Sequence, residues 1–305
     1  MIDRFEHIVE QISRVVLGKK DQIRLALTCL FGGGHLLIED LPGIGKTTLA
    51  KVLAKCLGLR FQRIQFTSDL LPGDILGLSI YEQESATFHF YPGPIFTQVL
   101  LADEINRATP KTQSALLEAM EEEQATIEGA TRPLDQPFFV IATQNPLEYA
   151  GTFPLPESQL DRFLMRIEIG YPDRDAEKNI LKGGGTEKEL VQMQACMEKD
   201  DVRDVQTRIQ EVHTSDQFLD YLQDIIDYTR SSPEFYAGLS PRAGISLASA
   251  ARSWAYLHGR QYTIPEDLQA ILPWVVGHRL RGAADRMEIP KNRLMEMFRE
   301  IELPV

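Results

Sequence analysis

The amino-acid sequence predicts an α/β fold with a parallel sheet, followed by a smaller helical domain. Short, continuously apolar segments such as 36–38 and 99–102 alternate with helix-like spacing over the first 175 residues. Such runs are typical of strands buried on both faces of a parallel sheet. Residues 176–305 show helical spacing with no convincing strand. We therefore predict an α/β domain over 1–175 and an α-helical domain over 176–305.

The composition is that of a globular protein, with 43% apolar and 25% charged residues in a chain of 305. The formal net charge of −12 repels phosphate backbones, so nucleic acid is a poor default partner. Three cysteines form no CxxC pair and six histidines form no HExxH motif, which argues against a disulfide framework or a zinc site. The sequence has neither a signal-like N-terminus nor a long apolar stretch, and we expect a cytoplasmic protein without a membrane segment.

The apolar run 35–38 ends in a stretch rich in proline and glycine, residues 39–48, and a helix-like pattern follows. A strand that turns into a helix in this way presents free backbone N–H groups, which can cradle phosphate oxygens. Lys46 can reach the outer phosphates of a nucleotide such as ATP, and the hydroxyl of Thr47 can bind Mg²⁺. The predicted phosphate-binding residues are Pro42, Gly43, Ile44, Gly45, Lys46, Thr47 and Thr48.

This stretch departs from the common pattern GxxxxGK(S/T) at its first position, where Asp40 replaces glycine. The missing glycine shapes the turn and does not contact phosphate, so the prediction of a phosphate-binding loop stands. The alternative is a glycine-rich turn that only joins a strand to a helix.

Residues 5–30 are predicted to form two helices that break at 15–18, just before the loop in the chain. The apolar turn there contains Val16 and Gly18, and it can hold a purine ring. A plain corner between two helices is an equally good interpretation of the same pattern.

The segment after the loop helix contains a predicted insertion. Residues 61–66 alternate weakly and are predicted as a strand. Residues 69–94 are rich in turn-forming and aromatic residues, which indicates an inserted hairpin, with a packed loop as the alternative. Further along, a helix is predicted over 110–123 and a short hairpin over 124–134.

The strand predicted over 98–102 runs directly into two carboxylates, Asp103 and Glu104. Two adjacent carboxylates at the end of a buried strand are costly unless a cation is present. Beside Mg²⁺ and a nucleotide they take separate roles, in which Asp103 holds the metal through water and Glu104 polarises the attacking water. The alternative is a solvated acidic turn.

The strand predicted over 138–142 ends in residues 143–146. There, Asn145 can sense a terminal phosphate or orient water, although an asparagine before a proline is equally a turn signal. A further strand predicted over 164–169 completes the α/β pattern.

Together these segments resemble the AAA+ ATPases, in which a phosphate loop, an acidic pair and residues like Asn145, Arg162 and the triplet 240–242 occur in this order. The strings LADEINR, ATQNP, GTFPLPE and LDRF, which lie between residues 101 and 163, are similar to the MoxR subfamily. The resemblance implies a doubly wound P-loop ATPase core with a helical lid. It also implies that ATP binds between neighbouring subunits of a ring, usually a hexamer; a heptamer and an open spiral are also compatible with the sequence.

The resemblance also assigns roles to single residues. Residue context alone leaves alternatives for the two arginines, because Arg162 can form a local ion pair with Asp161 and Arg242 can be a solvated residue near a helix start. The roles implied by the resemblance are Walker A for Lys46 and Thr47, Walker B for Asp103 and Glu104, first sensor for Asn145, arginine finger for Arg162 and second sensor for Arg242.

For the whole chain, the resemblance implies an ATP-hydrolysing, chaperone-like remodeller or activator of a protein or metalloprotein client. Such proteins often work with a partner that contains a von Willebrand factor A domain. The insertion at 69–94 is then expected to contact the client through Phe88, Phe90 and Tyr91. Two other functions stay open. One is a DNA-acting motor, and the excess of acidic residues argues against it. The other is a nucleotide-dependent binding switch with very slow hydrolysis, for which Asp40 is the only hint.

Overall fold

The computed structural model describes residues 2–146, 151–185, 187–299 and 301. Helices and strands alternate in the first part of the chain, and helices follow. The strands are β1 (Leu36–Glu39), β2 (Phe61–Gln65), β3 (Gly77–Glu82), β4 (Thr87–Pro92), β5 (Val99–Asp103), β6 (Gln124–Ile127), β7 (Ala130–Pro133), β8 (Phe139–Gln144) and β9 (Met165–Ile167). The α-helices are α1 (Ile2–Ser13), α2 (Lys20–Phe31), α3 (Lys46–Cys56), α4 (Pro72–Leu76), α5 (Pro110–Glu122), α6 (Glu157–Leu160), α7 (Arg174–Leu181), α8 (Glu187–Gln192), α9 (Lys199–Gln210), α10 (Asp216–Ser231), α11 (Pro241–Leu257), α12 (Pro265–Val276) and α13 (Lys291–Phe298).

The central sheet is parallel and has the strand order β2-β5-β8-β1-β9. Glu39 at the end of β1 pairs with Gln144 at the end of β8. On the other side of β8, Ala102 of β5 pairs with Ala142, one residue before Asp103 ends that strand. The predicted parallel sheet is confirmed, and the carboxyl ends of three neighbouring strands meet at one edge, where open α/β folds bind ligands.

Both faces of the sheet are covered. Leu36 and Ile38 of β1 lie in a buried cluster that includes residues of α1, α2, α3 and the later helices. Leu37, which points to the other face, lies in a second cluster that includes residues of α5. Because successive strand residues alternate between faces, this division shows helices on both sides of the sheet and confirms the doubly wound core.

Strand β9 is shorter than the predicted strand over 164–169. Beyond Ile167 the chain leaves the sheet, since the backbone N–H groups of Ile169 and Gly170 donate to the carboxylate of Asp40 at 2.7 and 2.6 Å. The carboxylate of Asp40 thus replaces the sheet hydrogen bonds that the predicted strand over 164–169 would make at these two residues.

Two antiparallel hairpins lie outside the central sheet. The first pairs β3 with β4 and follows the short helix α4, so the hairpin predicted within 69–94 forms. The second pairs β6 with β7, as predicted over 124–134.

The later helices pack against α2, on the face of the sheet opposite α5. The hydroxyl of Ser253 in α11 donates to the carbonyl oxygen of Thr28 at 2.8 Å, and a side-chain amide of α9 reaches the carbonyl oxygen of Leu30. The domain boundary near residue 175 stays a prediction, and α7 begins at Arg174. None of the helices in the described part of the chain is long and apolar enough to cross a membrane.

Candidate functional site

The predicted phosphate loop connects the end of β1 to the start of α3. Gly43 and Gly45 have φ angles of 84° and 96°, in the region that favours glycine. A Cβ atom added at either position meets nothing within 4 Å, so the loop faces open space. Gly45 is the N-cap of α3 and has no side chain to accept from the first-turn N–H groups. The loop therefore offers backbone donors and a helix N-terminus to an anion.

Lys46 is folded back onto the loop. Its ammonium group donates to the carbonyl oxygens of Asp40 and, at 2.9 Å, of Leu41. Burial lowers the pKa of Lys46, and the nearby carboxylates of Asp40, Asp103 and Glu104 oppose that shift. The lysine charge is thus held at the loop by two carbonyl oxygens, which phosphate oxygens can replace.

Asp40 links the loop to the exit of β9. One carboxylate oxygen accepts from the N–H of Leu41 at 2.8 Å, and the other accepts from Ile169 and Gly170. Its own backbone N–H donates to the carbonyl oxygen of Gln144 at 3.1 Å. A glycine at this position has no side chain to make the first three of these bonds, so the departure from the common pattern gives the loop an anchor.

Asp103 is buried at the end of β5. One of its carboxylate oxygens accepts from the hydroxyl of Thr143 at 2.6 Å, and the other accepts from the guanidinium of Arg63 at 2.7 Å. Sequence reasoning missed both partners. Arg63 has a usable signal, because it and Gln65 alternate with the buried Ile64 on β2, the neighbour of β5.

Glu104 adopts a left-handed conformation with φ 58°, which is uncommon outside glycine. Its backbone N–H donates to the Thr143 hydroxyl oxygen at 2.9 Å, so this one hydroxyl positions both acidic residues. Its carboxylate accepts from Gln65 at 2.8 Å and from Arg107 at 2.9 Å. The carboxylates of Asp103 and Glu104 therefore have separate hydrogen-bond partners.

The oxygen ligands at this edge suit Mg²⁺ better than a transition metal. The described residues contain no group of three or more histidine, cysteine and acidic side chains that could hold a metal by themselves. Mg²⁺ commonly uses one or two protein oxygens and completes its coordination with phosphate and water. Thr47 at the first turn of α3 can offer its hydroxyl to such an ion, and Asp103 at the end of β5 can hold the ion through water.

Comparisons with known proteins identify the families to which the two parts of the chain are similar. The model of the ATPase family associated with various cellular activities (AAA) matches residues 35–165, and the AAA lid domain model matches 227–297. The chain is 37% identical to Chaperone MoxR1 of Mycobacterium tuberculosis, over 97% of this chain and 82% of that protein. The chain belongs to the MoxR group of the AAA+ ATPases.

Two further relatives extend the comparison. An uncharacterized protein of Bacillus subtilis, YeaC, is 47% identical over 89% of this chain and 85% of its own length. A solved structure from Cytophaga hutchinsonii, described as a candidate ATPase, matches with a TM-score of 0.90 and 36% identity, covering 100% of this chain and 96% of that one. The fold of this chain is therefore shared with that structure over its whole length.

The two arginines that the MoxR resemblance singles out lie together. The guanidinium of Arg162 is 2.9 Å from the carboxylate of Glu121 at the end of α5, and Arg242 at the start of α11 contacts the same carboxylate. Asp161 instead pairs with Arg279 at 2.6 Å. The local Arg162–Asp161 pair that the sequence left open is therefore not formed.

This arginine cluster lies at the opposite edge of the sheet from the phosphate loop. Met120, the residue before Glu121, accepts at its carbonyl oxygen a hydrogen bond of 3.1 Å from His35, which immediately precedes β1. The loop follows the other end of β1, a strand of four residues, or about 13 Å of chain. Arg162 and Arg242 are thus separated from Lys46 of the same chain by the length of the sheet.

Asn145 lies at the carboxyl end of β8, as the sequence predicts. It is buried directly after β8, whose last residue, Gln144, accepts the N–H of Asp40. The first-sensor candidate is therefore next to the phosphate loop and one strand from Asp103.

The turn with Val16 and Gly18 packs against the start of α7. Gly18 has φ 70°, and a Cβ atom there lies 2.8 Å from the Cβ of Ala176, so only glycine fits this approach. The neighbouring Lys19 donates to the carbonyl oxygen of Tyr171 at 2.6 Å. The helix–helix corner is thus observed, and a purine-binding role for Val16 and Gly18 stays a prediction.

Proposed function

We propose that this MoxR-type chain is a Mg²⁺-dependent ATPase that works as a closed ring, in which each subunit completes its neighbour's active site. The observation that carries the proposal is the placement of Lys46 and the arginine cluster at opposite edges of one sheet. A contact that joins the loop edge of one subunit to the arginine edge of the next is head-to-tail, and such contacts generate rings when the rotation closes. A hexamer is the state that the family resemblance implies.

The roles of the residues follow from the chemistry of phosphoryl transfer. The loop N–H groups and Lys46 bind the phosphates of ATP. The hydroxyl of Thr47 would bind Mg²⁺ directly, and Asp103 would hold it through water. Bound Mg²⁺ supplies charge neutralisation on the phosphates. Glu104 orients the attacking water and accepts its proton, and Asn145 holds the water or the terminal phosphate in place. Arg162 and Arg242 of the neighbouring subunit stabilise the charge that develops on the transferring group.

The work done with this hydrolysis is proposed to be chaperone-like remodelling of a protein or metalloprotein client. The support is the name of the relative Chaperone MoxR1 and the exposed aromatic hairpin β3–β4, which lies outside the central sheet. A partner with a von Willebrand factor A domain and a cytoplasmic location remain predictions from the sequence.

The test is rescue between two inactive variants. Arg162→Ala keeps the phosphate loop and loses the finger, whereas Lys46→Ala loses the loop and keeps the finger. Each alone is expected to lose ATP hydrolysis by a factor of about 10³ or more. In an equal mixture, about one quarter of the interfaces join an intact loop to an intact finger, so up to about one quarter of the wild-type rate per subunit returns.

The matched control replaces Lys46→Ala in the mixture by the double variant Lys46→Ala/Arg162→Ala, which assembles in the same way and offers no finger. That mixture is expected to stay inactive. Absence of recovery with the single variants, in rings shown by native mass spectrometry to contain both chains, contradicts a finger supplied by the neighbour.

A further inference from the structure

Two of the three cysteines are in contact although they are far apart in the chain. The sulfur atoms of Cys56 and Cys196 are 3.4 Å apart. The backbone N–H of Cys196 also donates to the carbonyl oxygen of Cys56 at 2.7 Å, which holds the two residues side by side. Disulfide formation requires neighbouring Cα atoms, and this backbone hydrogen bond provides that proximity.

The two thiols differ in access. Cys56 is fully buried at the end of α3, whereas Cys196 is partly exposed. Cys196 also lines an open cavity of about 720 Å³, together with His7, Arg14 and Met193. Burial raises the pKa of the Cys56 thiol, so Cys56 is protonated at neutral pH. A small oxidant can therefore reach the sulfur of Cys196 first.

We propose that Cys56 and Cys196 form a thiol pair that a low-molecular-weight disulfide, such as glutathione disulfide, converts into an intramolecular disulfide. The thiolate of Cys196 attacks one sulfur of glutathione disulfide and releases one glutathione. The sulfur of Cys56 then attacks the Cys196 sulfur as Cys56 gives up its proton, and the departing glutathione thiolate takes up a proton and leaves as the second glutathione. Two protein thiols are oxidised and one glutathione disulfide is reduced to two thiols, so atoms and electrons balance.

The bridge has a defined place in the molecule. Cys56 is the last residue of α3, the helix that begins at Lys46, and Cys196 lies in the connection between α8 and α9. The end of α8, directly before that connection, also lies against the end of α3, since Lys55 donates to the carbonyl oxygen of Val191 at 2.7 Å. The disulfide thus ties the phosphate-loop helix covalently to the chain that leads into the later helices.

The test treats the full, folded chain with glutathione disulfide and follows its intact mass. The wild-type chain is expected to become two hydrogens lighter, and proteolysis is expected to yield a peptide pair joined through Cys56 and Cys196. Because the bridge closes a loop of nearly half the chain, the midpoint of thermal unfolding is expected to rise and to return on reduction.

Single variants separate the two steps. Cys56→Ser is expected to stop at the mixed disulfide and to keep one glutathione on Cys196, and Cys196→Ser is expected not to react. Cys29→Ser, which removes the third, buried cysteine, is the matched control and still forms the bridge. A wild-type chain that retains one or two glutathiones without closing the bridge overturns the proposal. A folded chain that stays unmodified, while the urea-unfolded chain reacts under the same conditions, overturns it as well.

Discussion

At the scale of single residues, Asp40 shows how a departure from a common motif acquires a structural role. Its carboxylate accepts three backbone N–H groups, two of them from the chain that leaves β9. The phosphate loop is thus fastened to the segment that continues towards α7. Asp40 was the only sequence feature that hinted at a binding switch, and its bonds to the backbone offer another reason for its presence.

We predict that Asp40→Gly, which restores the common loop pattern, destabilises the protein. The N–H groups of Ile169 and Gly170 lose their acceptor, which costs about 1–3 kcal/mol of the free energy of unfolding in urea. Asp40→Asn is the matched control, because its amide oxygen can still accept from both groups, and it is expected to lose less. Equal stability of Asp40→Gly and wild type contradicts an anchoring role.

The sequence identified the residues that any phosphate loop and acidic strand end must have, and it missed the partners that come from other strands. Thr143 and Arg63 both bind Asp103, at a sequence separation of 40 residues each. Such contacts depend on which strands are neighbours. Strand order is a property of the whole sheet and is not written in the local pattern of β2, β5 or β8.

At the scale of elements, the aromatic residues of the hairpin β3–β4 that the sequence predicts as client contacts lie in different environments. Phe88 is 71% exposed, and among the described residues its one aromatic partner is Tyr81, in a T-shaped arrangement. Phe90, on the same strand, packs against Phe96 and lies under the guanidinium of Arg132, 3.9 Å from its ring centre. Phe88 is therefore available to a partner, while Phe90 fastens the hairpin to the core and to β7.

This division leads to a paired prediction. Phe90→Ala is expected to lower the free energy of unfolding by about 2–4 kcal/mol, because it removes packing and a cation–π contact. Phe88→Ala is expected to change it by less than about 0.5 kcal/mol, as is usual for exposed positions. Urea unfolding of the two variants is the measurement, and similar losses in both contradict the division.

A buried histidine, His35, directly precedes β1, the strand that connects the two edges of the sheet. His35 accepts the N–H of Val140 at Nδ1 (3.0 Å) and donates from Nε2 to the carbonyl oxygen of Met120, so the neutral ring joins β8 to the end of α5. Burial lowers its pKa to about 4. Because Met120 directly precedes Glu121, the Arg162–Glu121 contact lies next to this neutral histidine.

We predict that the free energy of unfolding falls between pH 6.5 and about 4. In that window the unfolded chain binds a proton at His35 and the folded chain does not, so the stability from the neutral ring is complete above pH 6.5 and is lost on acidification. The slope from this group is at most about 1.4 kcal/mol per pH unit. His278, whose pKa burial also lowers, adds to it.

Urea unfolding across this pH range measures the effect, and His35→Asn isolates it. The asparagine keeps an acceptor for Val140 and does not titrate, so the variant is expected to be less stable at neutral pH and to lose less on acidification. An identical pH slope in both proteins contradicts the contribution of His35.

At the scale of the whole molecule, the position of the later helices decides how the site can be completed. The sequence predicted their helical character, and the family resemblance implied a lid. Neither indicated that α11 starts beside Glu121 and packs against α2. This packing places Arg242 next to Arg162, at the edge of the sheet that is far from Lys46. That arrangement follows from long-range packing in the cluster shared by α2, α9 and α11, which no local spacing encodes.

A chain whose loop and arginines occupy opposite edges is expected to hydrolyse ATP only when assembled. We therefore predict that the rate of Mg-ATP hydrolysis per subunit rises steeply with protein concentration and then levels off, as association completes the sites. Sizing of the oligomer at each concentration is measured in parallel, and the two curves are expected to coincide. The matched control is Arg162→Ala, which assembles over the same range without the rise in rate. A constant, appreciable rate over concentrations where the protein is monomeric means that one subunit suffices, and it rejects the shared site. If the oligomer is still intact at the lowest concentration, urea is added below the unfolding transition to dissociate it. A shared site is then expected to lose activity together with the oligomer.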